Sequence, residues 1–434
     1  MTVDFKKMPG RKKTVLGLEA NPVAFQEALA EWYRIHARKL PWREAVDPYC
    51  IWLSEIMLQQ TRVAAVIEHY YEFLRRFPTL LSLALAPEED VLAAWSGLGY
   101  YRRARMLHKA AQFITQELGG VLPSTAVELR TLPGIGEYTS AAIASIAFGE
   151  SIAVVDGNVE RVLLRLTGRP EEATAAGRNF VRATAQSLVP ANRQTPAKVP
   201  VRAGRRRKGL QPQRSAAATL QRGNGNERNP AGDHNQAMME LGATICLPRS
   251  PLCLQCPVHG FCVTRGEHST SPRAKLRSRE VAFLLSIRKR GVTTQVLLAK
   301  RPPEASLMAG MYELPPLPLD AGSDELSHRE PLLRVRHAIT NTNYYARIFA
   351  PLGPTDQALR RAVPLARADL HWVNTSTLGG LPLTGLARKV LQRLDVMAVR
   401  PLRDPKDAAE VEVEPRAVRV AKPIVDHDED HDSF

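Results

Sequence analysis

The sequence predicts a chain of two unlike parts, a mainly α-helical first part and a mixed α/β second part. Through residue 189, and again over 234–243, apolar residues recur at helical spacing with turns of only a few residues between them. After a polar stretch rich in Ser, Pro and Arg at 266–279, short β-branched and aromatic runs replace that pattern. Four of the five cysteines fall within residues 246–262, at the end of the helical part. The expected layout is a flexible N-terminus at 1–20, a helical domain at 21–265 and a linker at 266–279. An α/β domain at 280–396 and a disordered acidic tail at 397–434 complete it.

In order along the chain, Asn21 to Arg38 carries Phe25, Leu29, Trp32 and Tyr33 on one helical face, with Asn21-Pro22 as its start. Leu40-Pro41-Trp42-Arg43 breaks it. Pro48 opens one long helix that runs to Pro78, and Leu83 to Trp95 forms the next. Ser96-Gly97-Leu98-Gly99-Tyr100-Tyr101 is a loop leading into a helix over 102–118. An Ala-rich helix from Tyr138 to Phe148, a short one from Val159 to Leu166 and another from Asn179 to Val189 follow. Residues 190–232 hold ten Lys or Arg against one acid and almost no large apolar residue, so they read as a disordered basic insertion. Helix resumes at His234–Ala243. Val281–Ile287, Gln295–Lys300, Arg334–Ala338 and Tyr344–Phe349 are strands, and Leu383–Leu394 is a closing helix.

The totals bound the function. A length of 434 residues suffices for two cores, and no run of about 18 apolar residues exists to span a membrane. The basic N-terminus lacks the apolar core of a secretory signal. A net charge of +15 favours a polyanionic partner. Clustered cysteines, odd in total, point to a metal or cluster site in a reducing, cytoplasmic compartment rather than to a disulfide framework.

Three constellations carry chemistry. Leu132-Pro133-Gly134-Ile135-Gly136 is a tight turn in which Gly134 and Gly136 let a backbone approach, and the helix start behind it offers free N–H groups to a phosphate. One helix later, a short apolar run delivers Asp156, with Asn158, to another helix start; taken singly, these residues read first as turn punctuation and an N-cap. Glu55 sits among Trp52, Leu53, Ile56 and Met57, surroundings that favour a neutral carboxyl fit for general-acid work; a surface position on an amphipathic helix is the alternative. Cys246, Cys253, Cys256 and Cys262 place four thiolates within 17 residues, a spacing that leaves zinc and an iron–sulfur cluster both open.

Taken together, the turn and Asp156 resemble the helix-hairpin-helix DNA glycosylases. Leu53-Ser54-Glu55-Ile56-Met57-Leu58-Gln59-Gln60-Thr61 is similar to the corresponding motif of MutY-type adenine DNA glycosylases, and the four cysteines to the [4Fe–4S] loop of that family and of endonuclease III. The resemblance covers about 21–189 and 233–396. It implies that Glu55 protonates N7 of adenine, that Asp156 stabilises the cation-like sugar, and that Leu58, Gln59, Gln60 and an intercalating Tyr100 open the duplex. Arg38, Leu40, Trp42, Arg43 and Gln236 would line the adenine pocket, and Arg249, with Arg265 nearby, would meet DNA phosphates beside a structural cluster. Tyr100 and Trp42 are also plausible core aromatics. Tyr138 stands where lyases of the superfamily carry a lysine, which implies a monofunctional enzyme.

Val296–Pro302 and Ala309–Pro315 resemble the Nudix-like domain appended to these glycosylases, without the acidic Nudix box that would bind magnesium. The family's Phe-Ser-His reader of 8-oxoguanine corresponds here to Ile339, Thr340 and Asn341. The implied partner is double-stranded DNA with A:8-oxoguanine or A:G mispairs, bound by a monomer without membrane contact. Two other readings stay open: an endonuclease III-like glycosylase/lyase, and a non-catalytic iron–sulfur DNA-binding protein.

Overall fold

In the computed structural model the described residues are 18, 21–45, 47–191, 229–268, 276–317, 329–351 and 369–398. Most of the basic insertion, part of the linker and the acidic tail lie outside them. Among the described residues, twelve helices precede the cysteine loop: α1 (Pro22–His36), α2 (Pro41–Glu44), α3 (Pro48–Leu58), α4 (Val63–Arg76), α5 (Leu80–Leu85), α6 (Glu88–Ala94), α7 (Arg102–Glu117), α8 (Ala126–Leu129), α9 (Glu137–Phe148), α10 (Gly157–Thr167), α11 (Ala175–Leu188) and α12 (Pro230–Thr244). Side chains cap many of the starts. Asn21, Asp47, Thr79, Thr125, Asp156, Thr174 and Asn229 each accept a backbone N–H from the first turn of the helix that follows.

Four sequence expectations need correction. The helix expected from Pro48 to Phe77 is two helices, α3 and α4, because Gln60 adopts a left-handed φ of 56° and turns the chain. No Gly or Pro marks that turn; a distant arginine makes it, as described below. The helix expected over 83–95 likewise divides into α5 and α6, at Pro87. The last residues of the basic insertion, Pro230 to Gly232, are the first turn of α12. The linker ends before 279, since Arg277 already pairs with Thr342.

The helices share two large apolar cores, with a smaller cluster of Ile51, Ala141, Ala142, Ile146 and Val154 beside them. Trp52, Trp95, Phe73, Leu83 and Leu107 centre one, and Phe25, Leu29, Leu163 and Leu241 the other. α3 is buried around nearly its whole circumference, so it is a core helix rather than an amphipathic surface one.

The second part contains β1 (Arg277–Leu284), β2 (Ile287–Arg290), β3 (Thr293–Lys300), β4 (Tyr312–Glu313), β5 (Pro316–Leu317), β6 (Leu333–Ile339), β7 (Thr342–Phe349), β8 (Asp369–Asn374) and α13 (Gly385–Arg393). The four expected strands are all present. β2, the short β4 and β5, and the whole of β8 are additions. One sheet has the order β5-β1-β7-β6, with β1 and β7 parallel and the other pairs antiparallel. In the other sheet, β3 pairs antiparallel with β2, β4 and β8. Val296, Leu298, Val335, Ile348 and Val390 form the core between strands and α13. Met311, although from this part, is buried in the helical core around Trp52.

Candidate active site

A cleft of about 1670 Å³ opens between the helices and the α/β part. Glu55, Tyr138 and Asp156 line its floor. The hairpin turn 133–136, the loop 97–101 and the turn 58–61 form its walls, with 305–309 and 337–340 from the α/β part.

Glu55 is 5% exposed. Burial in α3 raises its carboxyl from the ordinary 4.5 to about 7; the Tyr138 hydroxyl opposes the rise, and the charge of Asp156 adds to it. Tyr138, from the first turn of α9, donates to Glu55 Oε2 at 2.8 Å and lies 3.4 Å from Met239 Sδ. Burial keeps this phenol well above its usual range.

Asp156 is the N-cap of α10 as well as a cleft carboxylate. Its Oδ1 accepts Val159 N–H at 2.7 Å and its Oδ2 accepts Asn158 Nδ2 at 2.9 Å. The run before it is held by Asn235 of α12, whose amide accepts Val154 N–H at 3.1 Å and donates to Ile152 O at 2.8 Å. Asn158 packs on Gly242; a Cβ there would lie 2.6 Å from Asn158 Cβ. The glycine thus sets how closely α12 approaches the site.

Helix α12 also supplies a residue that sequence reasoning missed. Glu240, 1% exposed, receives Arg38 Nε and Nη2 at 2.7 Å each and Arg43 Nη2 at 2.8 Å. Burial alone would raise its carboxyl, but these donors outweigh it and bring it to about 2. Arg38 and Arg43 are thereby fixed at the cleft wall beside Leu40 and Trp42, which are 6% and 7% exposed and serve core and cleft together. Gln236 Oε1 accepts the Tyr33 hydroxyl at 3.3 Å, and Arg43 lies over the Tyr33 ring. The acid that gathers the two arginines stands about 200 positions away in sequence, so no local motif announces it.

A second missed residue is Arg103. Its Nη1 donates to the carbonyls of Ile56, Met57 and Gln59 at 2.7, 2.9 and 2.5 Å. Its Nη2 reaches Thr61 Oγ1 at 3.0 Å and the carbonyls of Leu98 and Gly99 at 3.4 and 3.3 Å. One guanidinium therefore caps α3, which ends in Leu58, shapes the Gln59-Gln60 turn and ties it to the Tyr100 loop. Burial lowers its pKa to about 10. Tyr100 is 43% exposed, has a left-handed φ of 49° and lines the cleft, so it is no core aromatic. Gln59 Nε2 donates to Thr139 Oγ1 at 3.1 Å.

Gly134 has φ 75°, and a Cβ on it would lie 2.3 Å from Met106 Cβ, so this turn requires glycine twice over. A Cβ on Gly136, at the start of α9, would meet only open space. In the α/β part Ile339 and Thr340 line the cleft, whereas Asn341 and the exposed Arg249 lie outside it.

The four loop cysteines are free and half-buried, and each of Cys246, Cys253 and Cys262 acts electrostatically on Cys256. Arg165, 2% exposed, donates through Nη1 to Cys246 Sγ at 3.3 Å and to Leu247 O at 2.7 Å. The Arg265 N–H approaches Cys262 Sγ at 3.4 Å. Four cysteine thiols in one loop, with cationic and N–H donors at Cys246 and Cys262, suit an all-thiolate, negatively charged centre. Cys50 belongs instead to the core of α3.

A buried carboxyl and a helix-capping aspartate thus share one cleft beside a glycine hairpin turn. Residues 53–190 match the model of the HhH-GPD superfamily base excision DNA repair proteins, and 246–262 match that of the iron-sulfur binding domain of endonuclease III. Over residues 53–190 the chain is thus similar to the HhH-GPD superfamily, and its cysteine loop is a [4Fe–4S]-binding domain. The chain is 40% identical over 257 residues to the adenine DNA glycosylase of Homo sapiens, covering 57% of this chain and 40% of that protein. It is 32% identical over 346 residues to that of Arabidopsis thaliana, covering 69% and 48%. With the Mycobacterium tuberculosis protein of the same name it shares 36% over 231 residues, covering 53% and 64%. It therefore spans less than two thirds of the length of these relatives. No helix among the described residues is long and apolar enough to cross a membrane.

Proposed function

We propose that this chain is a monofunctional adenine DNA glycosylase that removes adenine paired with 8-oxoguanine or guanine. The observation that carries the reading is the pair Glu55 and Asp156 in one cleft, with the first held near 7 by burial and the second fixed as a helix cap. Leu58, Gln59, Gln60 and Tyr100 open the duplex, the turn 132–136 and Arg249 hold its backbone, and the target adenine rotates into the pocket between Arg38, Leu40, Trp42, Arg43 and Gln236.

Protonated Glu55 gives its proton to N7 of adenine. The C1′–N9 bond then breaks, and its electron pair leaves with the base. Asp156 offsets the cationic charge on the sugar. Glu55, now a carboxylate, takes a proton from water as the water oxygen bonds to C1′, which restores its starting state. Tyr138 holds Glu55 in place and offers no amine for a Schiff base, so the strand stays intact. Cys246, Cys253, Cys256 and Cys262 would hold the cluster, which would stiffen the loop that carries Arg249. The Nudix-like 280–396 region reads the opposite base through Thr340, with Asn341 holding the hairpin beside it, and the enzyme works as a monomer on DNA in the bacterial cytosol.

Single-turnover base release from A:8-oxoguanine, A:G and thymine-glycol duplexes, with borohydride trapping, tests the proposal. Adenine release without a trapped adduct is expected. Release of the damaged pyrimidine with trapping, or no release from any duplex, overturns it.

A further inference from the structure

The loop that carries Tyr100 is fastened at both ends to a single carbonyl of the α/β part. Ser96 Oγ donates to Leu383 O at 3.1 Å, and Tyr101 Oη donates to the same oxygen at 3.0 Å. Arg388 Nε, from α13, donates in turn to Ser96 Oγ at 3.1 Å. Ser96 and Tyr101 are each 5% exposed and Leu383 is fully buried. These bonds lie in dry surroundings, where they are directional and costly to leave unmade.

Leu383 is close to the hairpin that faces the cleft. Thr384 follows it and caps α13 through Ala387 N–H. Next comes Gly385, where a Cβ would lie 3.3 Å from the ring of His337. His337 is on β6, two positions before Ile339, and it lines the cleft with Ala338, Ile339 and Thr340. Chain continuity along β6 and over 383–385, with the close approach of His337 to Gly385, thus leads from Thr340 to Leu383 and on to Ser96 and Tyr101. Between the two fastened ends stands Tyr100, in the left-handed region, a conformation that persists only where its surroundings hold it.

We infer that Ser96 and Tyr101 are positioning residues that link the β6–β7 hairpin to the Tyr100 loop, so that the base opposite the target adenine sets how readily the duplex is opened. The inference rests on the proposed function and adds to it a route by which the α/β part acts on base release. Neither residue touches the reacting atoms; both act through the Leu383 carbonyl.

The test uses the full chain as Tyr101→Phe, Ser96→Ala and the double variant. Tyr101→Phe removes one hydroxyl and keeps the ring in the core. Single-turnover rates are measured on A:8-oxoguanine and A:G duplexes, and amide hydrogen exchange on the protein without DNA. The double variant is expected to lose about tenfold in the ratio of the two rates while its A:G rate stays within about twofold of the parent. Exchange is expected to quicken in both 97–100 and 337–340. Equal falls on the two duplexes would mark a purely structural role and overturn the inference, as would an unchanged ratio. If the parent releases adenine from neither duplex, the proposed function fails on its own, and exchange still decides the linkage: no change in either segment refutes it.

Discussion

The hydroxyl of Tyr138 and the carboxyl of Glu55 meet at 2.8 Å, joining the first turn of α9 to the middle of α3. The bond favours the ionised carboxyl, burial favours the neutral one, and burial prevails by enough to leave Glu55 near 7. A carboxyl near 7 can both give up a proton and take one back at neutral pH.

Base release is therefore expected to fall as pH rises through about 7, and Glu55→Gln to abolish it at every pH. For stability the sign is opposite to that of an ordinary carboxylate. The folded chain keeps a proton that the unfolded chain loses above 4.5, so Glu55 lowers stability progressively as pH rises from 4.5 to about 7. Glu55→Gln is expected to raise the melting temperature above pH 7 and to leave it nearly unchanged below pH 4.5. A flat rate profile between about pH 6 and 9 would refute the assignment.

Asp156→Asn keeps an oxygen that can still cap Val159 N–H. Duplex affinity and fold are expected to survive, while base release falls on the order of a thousandfold for want of a negative charge. Asp156→Ala should in addition lose about 1 kcal/mol of stability with the cap. An asparagine variant within tenfold of the parent rate would separate capping from catalysis and leave only the cap.

Arg103→Lys tests the clamp on the cleft wall. An ammonium is a point donor and cannot span the carbonyls of Ile56, Met57 and Gln59 together with Leu98 and Gly99. Stability is expected to fall by about 1–3 kcal/mol. Base release should fall steeply on paired adenine and much less when the adenine faces an abasic site, where no pair must be opened. An equal loss on both substrates would confine Arg103 to a structural role.

These cases also show what could be read in advance. Glu55, Tyr138, Asp156 and the four cysteines lie in short runs that resemble motifs of a known family, though each run alone was ambiguous, and the structure brings the first three into one cleft. Arg103, Glu240 and Asn235 were not legible, because each acts on groups far away in sequence and looks, locally, like an ordinary polar residue of a helix. The division of α3 from α4 was missed for the same reason: the cap that ends α3 comes from α7. β8 was missed because its six residues, Asp369 to Asn374, owe their place to pairing with β3 rather than to a strong period of their own.

Glu240→Gln is expected to destabilise the chain by about 1–3 kcal/mol, since two arginines would face a neutral amide, with half-exposed Arg38 still partly solvated. In the parent, the Glu240 carboxyl near 2 contributes stability fully above the ordinary 4.5, and the contribution fades as pH falls toward 2. The difference in melting temperature between parent and variant should therefore narrow in acid. A variant as stable as the parent at neutral pH would show that the arginines find other partners.

The last expectation concerns the residues proposed to read the opposite base, which the structure places unequally. Thr340 lines the cleft at the tip of the β6–β7 hairpin with φ 54°, a conformation unfavourable to a β-branched residue. Asn341 is outside the cleft wall; its side chain accepts the Thr342 hydroxyl at 3.4 Å, and its carbonyl accepts Arg277 N–H at 2.8 Å. The Asn341 carbonyl thus ties β1 to the hairpin, a bond that survives truncation of the side chain. Thr340→Ala is expected to reduce the preference for A:8-oxoguanine over A:G by about three- to tenfold, the scale of one hydrogen bond. Asn341→Ala should reduce it by less than twofold, and the double variant should behave like Thr340→Ala alone. Ratios of single-turnover rates on the two duplexes measure this. A larger effect at Asn341 than at Thr340 would mean that the hairpin turns over on binding, and no effect at either would place the reading of the opposite base elsewhere.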